Sequence, residues 1–292
     1  MENGKLANLL NLVELQGVLT NNTLKVETSK DGRKFIGGAL EINTGTENNE
    51  CIVPIDLFQY ELKKDGTRNS LYDRCLQMMG WPSAATVGSA EATVVSITRG
   101  EIVDSSYFNE KTGKVTEGWR LRAVFVDQVS KVSPRNNSFS VQGVVDSVKE
   151  VLDANGDSTG ELKVELLTVG FGERVLRIPM FVTNSEGIKY IETNWNPGDL
   201  VTAYGEIVYK QETHEVIQEA AFGEGKKNIY TNTIKRLLIN SGTSPKSEEE
   251  HSYDRNKLLA LRSAYLKDIE ERHLANVKIA TSTDSKIPYL DF

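Results

Sequence analysis

The residues with the most evident chemistry in this sequence are flat rings standing beside fixed positive charges. Lys34 precedes Phe35, Tyr107 and Phe108 are followed by Lys111, and Trp119 leads into Arg120 and Arg122. Further along come Phe171 with Arg174 and Arg177, then Tyr204, Tyr209 and Lys210, while Arg99 stands among small residues. An aromatic face stacks on any nucleobase for about 1 to 3 kcal/mol, and an adjacent guanidinium or ammonium neutralises a phosphate. Bond-breaking chemistry has no comparable support. The sequence contains no GxxxxGK[ST] loop, HExxH helix or GxSxG elbow, and His214, His251 and His273 are far apart. Cys51 and Cys75 lack CxxC spacing, which argues for two reduced thiols rather than a disulfide or a zinc site. No enzyme activity, metal or cofactor is expected.

Rings also build cores, and each one has to be weighed against that use. Phe35, Phe58 and Phe125 alternate with aliphatic neighbours, which predicts core positions. Trp119 shares its strand parity with Leu121, Ala123 and Phe125, so burial is expected for it, with Arg120 and Arg122 on the opposite face. Tyr107 and Phe108 lie between Glu101 and Glu117 in a polar hairpin that also holds Lys111 and Lys114, and there a mobile amphipathic finger is expected.

Positioning these groups requires strands. From residue 13 to about 222 the chain is a series of short runs rich in Val, Ile, Thr and aromatics, among them 34–42, 51–58, 91–97, 119–129, 161–169 and 200–209. A helical face is predicted at 69–79, carrying Leu71, Cys75, Leu76 and Met79 and stopped by Gly80-Trp81-Pro82. The strand series repeats itself. Gln16-Gly17-Val18 returns as Gln142-Gly143-Val144, and the turn Asp31-Gly32 as Asn155-Gly156. Val53-Pro54-Ile55 returns as Ile178-Pro179-Met180, and Gly100-Glu101-Ile102-Val103 as Gly205-Glu206-Ile207-Val208. Each copy reads as three strands, a crossover (67–79, then 184–195) and further strands, the Greek-key order of an OB barrel. The expected fold is all-β: two tandem five-stranded OB-type barrels with a C-terminal helix and a flexible tail.

The barrels are placed at 1–132 and 133–240, separated by a linker-like stretch at 130–137. The run 234–239 either closes the second barrel or docks outside it. Residues 241–254 read as a flexible connector, followed by a helix capped by Asp254 from 255 to about 275, striped with Leu258, Leu261, Tyr265, Ile269 and His273. The end of the chain, Ile287-Pro288-Tyr289-Leu290-Asp291-Phe292, combines apolar anchors with acid and suits a pocket on a protein partner. With a net charge of -7 and a pI near 5.3, and with carboxylates outnumbering basic groups in each of these three parts, a nucleic-acid surface has to come from local clustering. Apolar runs are too short for a membrane span, and the N-terminus lacks the pattern of a secretory signal, so a cytoplasmic location is expected.

Through the QGV, DG/NG and GEIV series and the Ile-Pro-containing tip, the chain resembles the single-stranded DNA-binding proteins, especially the divergent ones of bacteriophages and mobile elements. The resemblance implies a protein that coats single-stranded DNA without strong sequence preference during replication or recombination, in the host cytoplasm if phage-encoded. It further implies a tip that recruits replication or recombination proteins. Bacterial members end in an acidic run and Ile-Pro-Phe, whereas here the acids are sparse and four residues follow Ile287-Pro288. Members usually carry one barrel and form tetramers, so two barrels in one chain imply a monomer or small homo-oligomer. The competing expectation, favoured by the acidic pI, is a β-barrel interaction or phage structural protein that binds no nucleic acid.

Overall fold

The computed structural model describes residues 5–45, 50–130, 136–218 and 226–284. In the first half, β1 (Asn11–Asn22), β2 (Lys25–Thr28), β3 (Lys34–Asn43) and β4 (Ile52–Tyr60) precede helices α1 (Ser70–Met79) and α2 (Ala84–Val87). Then come β5 (Val94–Asp104), the small hairpin β6 (Tyr107–Asn109) and β7 (Lys114–Thr116), β8 (Trp119–Ala123) and β9 (Asp127–Gln128). The second half runs β10 (Asn136–Leu152), β11 (Ser158–Gly170), β12 (Arg174–Val182), α3 (Ser185–Asn194), β13 (Leu200–Gln218) and β14 (Lys226–Gly242), and α4 (Arg255–Asp284) follows.

Pairing closes two rings of the same order. In the first, β1, β3, β4, β8 and β5 pair in turn and β5 returns to β1; in the second, β10, β11, β12, β14 and β13 do the same. In both rings one contact is parallel, Asp56 with Arg122 and Phe181 with Leu238, because five strands cannot alternate in direction all the way round a closed ring. The run 234–239 therefore closes the second barrel. The two rings share one sheet, because β1 pairs antiparallel with β10 from Asn11↔Val141 to Gln16↔Asn136. This pairing is self-complementary. If Gln16 is matched to Gln142, Asn11 corresponds to Asn137 and Leu15 to Val141, and Asn11 faces Val141 just as Leu15 faces Asn137. A local pseudo-two-fold axis passes through Val13↔Phe139. Side-chain contacts obey it: Asn11 Nδ2 donates to the Ile102 carbonyl at 2.8 Å and Asn137 Nδ2 to the Ile207 carbonyl at 2.7 Å.

The repeated glycines stand where backbones converge. Along one edge β1 passes from β10 to β3 at Gly17, and β10 passes from β1 to β11 at Gly143. A Cβ on Gly17 would lie 2.2 Å from the Asn43 carbonyl oxygen, and one on Gly205 would lie 1.8 Å from that of Leu238. The barrel interiors, with Val13, Leu15, Ile36, Ile55, Phe139, Val164, Ile178 and Leu237 among their fillers, form one continuous apolar core.

The crossover helices lie where the repeat predicts, each capped by an asparagine side chain, Asn69 on the Leu71 amide and Asn184 on the Gly187 amide. The buried face of α1 differs from the expected one: Tyr72, Cys75 and Met78 point inward, while Leu76 and Met79 are exposed. The apolar periodicity fits both faces, and the Tyr72 ring joins the barrel core. Residues 241–254 are tied down rather than loose. Lys246 pairs with Leu200 through both backbone groups, and His251 and Tyr253 contact the Gly198 and Ala7 carbonyls. The linker positions 131–135 lie outside the described residues, and Asn136 and Asn137 already belong to β10.

Helix α4 begins at its Asp254 cap and is longer than expected, continuing to Asp284. It fastens the rings from outside. Leu258 is buried against Val144, Leu167, Val169, Val175 and Leu200 of the second barrel. Arg262, only 2% exposed, donates to Asp104 Oδ1 (2.6 Å), Ser106 Oγ (2.9 Å) and Glu117 Oε2 (2.9 Å) of the first half and to the Val175 carbonyl (3.3 Å) of the second. Tyr265 donates to Asp104 Oδ2 at 3.1 Å. The expected stripe is correct as far as it goes. It omits Arg262, whose charge reads as surface in a sequence and is buried here because two carboxylates meet it.

Gly17→Ala should cost about 1–3 kcal/mol by overpacking against fixed backbone. Gly80→Ala, where φ is -88° and the nearest atom is 3.6 Å from the new Cβ, should change stability little. Urea unfolding of both variants checks this, and equal midpoints would contradict the close-approach argument.

Candidate nucleic-acid interface

An outer strand face collects rings when two strands place their outward positions opposite each other. On β3 and β4 the inward residues are Ile36, Leu40 and Ile42, then Val53, Ile55 and Leu57, which leaves Phe35, Phe58 and Tyr60 on the outside. The core positions expected for Phe35 and Phe58 are thus corrected. The alternation is real, but aliphatics own the inner parity, and Phe58 is 45% exposed. Phe125 is also exposed, because β8 ends at Ala123 and the parity is lost beyond it.

Register brings the three rings together. Phe35 pairs with Tyr60 and Gly37 with Phe58. Ring centroids are 5.0 Å apart for Phe35–Phe58 and Phe58–Tyr60 and 6.1 Å for Phe35–Tyr60. Gly37 leaves the gap they fill, since a Cβ there would sit 3.2 Å from the Phe35 ring. The Arg33 guanidinium lies 4.2 Å over the Tyr60 ring and donates to its hydroxyl at 3.3 Å. A groove of about 740 Å³ runs past Arg33, Lys34, Phe58, Tyr60, Lys63 and Lys64. Lys34, Lys63 and Lys64 have no ion-pair partner among the described residues, while Arg33 pairs with Asp31 at 2.6 Å and Glu61 also lines the groove. Of this set the sequence reading reaches Lys34 and Phe35 and misses Arg33, Tyr60, Lys63 and Lys64. A signal for them exists, because Tyr60 ends the strand that pairs with the one leaving the Asp31-Gly32 hairpin, and Lys63-Lys64 follow it.

A second group gathers at the seam between the barrels. Arg120, Arg122, Phe171 and Arg174 line a groove of about 230 Å³ with Asn11, Glu101 and Asp104. Arg120 pairs with Asp56 at 3.0 Å and Arg122 with Glu101 at 2.6 Å, all of these side chains being partly exposed. Arg174 lies 5.2 Å over the Tyr265 ring. Phe171, 92% exposed, projects from a single 3-10 turn.

Other expected contacts are engaged elsewhere. Trp119 is buried and one face is covered by Lys235, whose Nζ sits 3.8 Å from the ring centroid and donates to the Trp119 carbonyl, so this ring does not present a stacking face. Burial lowers the Lys235 ammonium to about 8, with Asp56 opposing the shift. Phe108 stacks on His273 of α4 at 4.3 Å and 18°, so the expected finger lies against a helix. Tyr107 remains 54% exposed, and Lys111 sits on the hairpin turn. Arg177 is half-buried between Asp146 (3.0 Å) and Glu117 (3.2 Å). Arg99 is exposed on β5 and Tyr204 on β13, and neither lines either groove. Tyr209 packs against the core, and burial, then Glu41 and Asp56, raises its hydroxyl above the ordinary range. Lys210 lines a polar groove of about 550 Å³ at the opposite side of the seam. The tip, Ile287 to Phe292, lies outside the described residues.

The matching outer face of the second barrel lacks an open ring platform among the described residues. Arg236 covers the Phe181 ring at 4.0 Å and pairs with Glu161, and Lys163 pairs with Glu165 at 2.7 Å. Among the described residues no group of His, Cys, Asp or Glu has metal-binding geometry.

Two closed Greek-key rings in one chain, with an exposed ring cluster on one of them, define a tandem OB-fold protein. The family model described as YorF matches residues 10–273, and the chain belongs to that family. Among solved structures it is similar to the wild-type single-stranded DNA binding protein from Thermus aquaticus, at 12% identity and a TM-score of 0.52, covering 85% of this chain and 98% of that one. A deletion mutant of the same Thermus aquaticus protein gives 14% identity and a TM-score of 0.46 over the same shares. At such identity the likeness to the wild-type protein establishes the fold. No curated protein matches.

Because the folded Lys235 ammonium titrates at about 8 and an unfolded lysine near 10.5, only the unfolded state holds this proton between those values, and stability rises with pH across that window. Comparing urea midpoints of the wild type and Lys235→Met at pH 7.5 and pH 10 should show the wild type gaining on the variant as pH rises. A constant difference would refute the assignment.

Proposed function

We propose that this protein binds single-stranded DNA on the outer β3–β4 face of its first barrel and does so without catalysis. The observation that carries the reading is the Phe35–Phe58–Tyr60 cluster, in which Phe58 is exposed, Phe35 is half-buried and Tyr60 lies under Arg33, beside Lys34, Lys63 and Lys64, which have no ion-pair partner among the described residues. Three rings on a strand face form an apolar patch that water disfavours, and its basic surround suits a polyanion with stackable bases. Stacking is indifferent to base identity, so sequence preference is weak. The Thermus aquaticus protein of similar fold is a single-stranded DNA binding protein, which supports the same ligand here. A role in replication or recombination, an origin in a bacteriophage or mobile element, a cytoplasmic location and recruitment of partner proteins through the tip belong to this proposal.

The test is fluorescence anisotropy of labelled oligo-dT about thirty nucleotides long, with a duplex of equal length as control. Binding should be micromolar or tighter and should favour the single strand. With the four basic groups of the groove on phosphates, log affinity should fall with log salt at a slope of about -3. Phe58→Ala and Tyr60→Ala should each weaken binding about tenfold, in keeping with about 1 to 3 kcal/mol per stacked base. Absence of binding at low salt would overturn the proposal and favour the β-barrel interaction protein.

A further inference from the structure

We infer that the seam groove is a second nucleotide site, in which Phe171 stacks one base while Arg120, Arg122 and Arg174 hold the adjoining phosphates. One strand would then run from the ring platform of the first barrel onto the second. This inference rests on the single-stranded DNA reading above and adds the residues and the path.

The first support is the turn that carries the ring. Phe171 is 92% exposed, and the two residues after it adopt left-handed backbone, Gly172 at φ 71° and Glu173 at φ 58°. Glu173 is the one non-glycine residue with positive φ among the described residues. That conformation costs energy for a residue with a side chain and persists where surroundings over-determine it, a pattern that clusters at binding sites. Here Glu173 Oε1 accepts the Leu6 amide at 2.8 Å, so the N-terminal segment braces the turn with its ring pointing away from the protein.

The second support is the company the ring keeps. Three arginines line the same groove, and the carboxylates facing them are weak competitors for a phosphate. Asp104 is already committed to Arg262 and Tyr265. The Asp56–Arg120 and Glu101–Arg122 pairs lie at the surface, where such pairs contribute little and a guanidinium can exchange one oxyanion for another.

The third is an internal control. The pseudo-two-fold axis generates a second groove on the other side of the seam, lined by Asn137, Glu206, Ile207 and Val208 where the first has Asn11, Glu101, Ile102 and Val103. Arg122 faces Glu101 on β8, and the corresponding partner of Glu206 on β14 is Leu238. The fold alone therefore does not call for an arginine at this place.

The fourth is continuity. Asp56 lies on the outer face of β4 two residues from Phe58 and four from Tyr60, and is paired in register with Arg122. Four strand residues span about 13 Å and neighbouring strands lie about 5 Å apart, so platform and seam adjoin.

The full-length protein would be tested with oligo-dT of about three nucleotides, enough for the ring platform alone, and of about twenty. Phe171→Ala, a change at a solvent-exposed ring, should weaken the longer ligand about tenfold and the shorter less than twofold, whereas Phe58→Ala weakens both. Glu101→Gln, which frees Arg122, should tighten the longer ligand several-fold. Photo-crosslinking of iodouracil-substituted strands should label the peptide containing Phe171 with the longer ligand only. If Phe58→Ala weakens binding while Phe171→Ala changes neither length and no crosslink forms at that peptide, the seam site is overturned and the platform stands. If the wild type binds neither length, the single-stranded DNA reading itself fails. Loss of a dimer by Phe171→Ala in sedimentation, with DNA binding unchanged, would assign the ring to a second copy of the chain and also overturn the site.

Discussion

Everything in this molecule that involves both barrels depends on the antiparallel pairing of β1 with β10. A short backbone ladder from Asn11↔Val141 to Gln16↔Asn136 makes one sheet of two rings and fixes their relation by hydrogen bonds rather than by a tether. The seam grooves exist because of it, and so does the site on α4 where Arg262 meets groups from both halves. A guanidinium withdrawn from water in this way is tolerable only while Asp104, Glu117 and Ser106 keep their places. The pairing supplies geometry, and the buried arginine makes departure from that geometry expensive.

Much of the fold was legible because duplication writes the same constraints twice. Gly17 and Gly143 mark the points where the opening strands change partners, and Gly100 and Gly205 mark tight approaches to neighbouring backbone. Asn69 and Asn184 cap the two crossover helices. The ring platform was harder to see. Strand alternation reveals that Phe35 and Phe58 belong to one parity and not which parity faces water, and the answer depends on the register of β3 against β4. Trp119 illustrates the converse: its burial was readable from Leu121 and Ala123, while the ammonium resting on it comes from Lys235, 116 residues away. Arg262 was invisible for the same reason, since its partners Asp104 and Glu117 are distant in sequence.

The acidic balance of the chain ceases to conflict with an anionic ligand once its charges are located. On the second barrel Lys163, Arg177 and Arg236 are each matched by a carboxylate, whereas Lys149, across from Lys163, has no ion-pair partner among the described residues. On the first, Lys34, Lys63 and Lys64 are unmatched among the described residues and stand beside exposed rings. Net charge averages over these two faces and conceals their difference. The copies have kept one backbone and diverged in surface, which is the freedom a duplicated fold has when its core and its edge glycines carry the folding information.

The broken pseudo-two-fold has one more consequence. A symmetric pair of barrels would look the same to a polymer arriving from either end. Here the barrels are unlike and locked in a fixed order by β1 and β10, so on the proposed path the two directions of a chemically directional chain are inequivalent and bind with unequal energy. Copies that share the favoured direction would meet through unlike surfaces, the head-to-tail kind of contact.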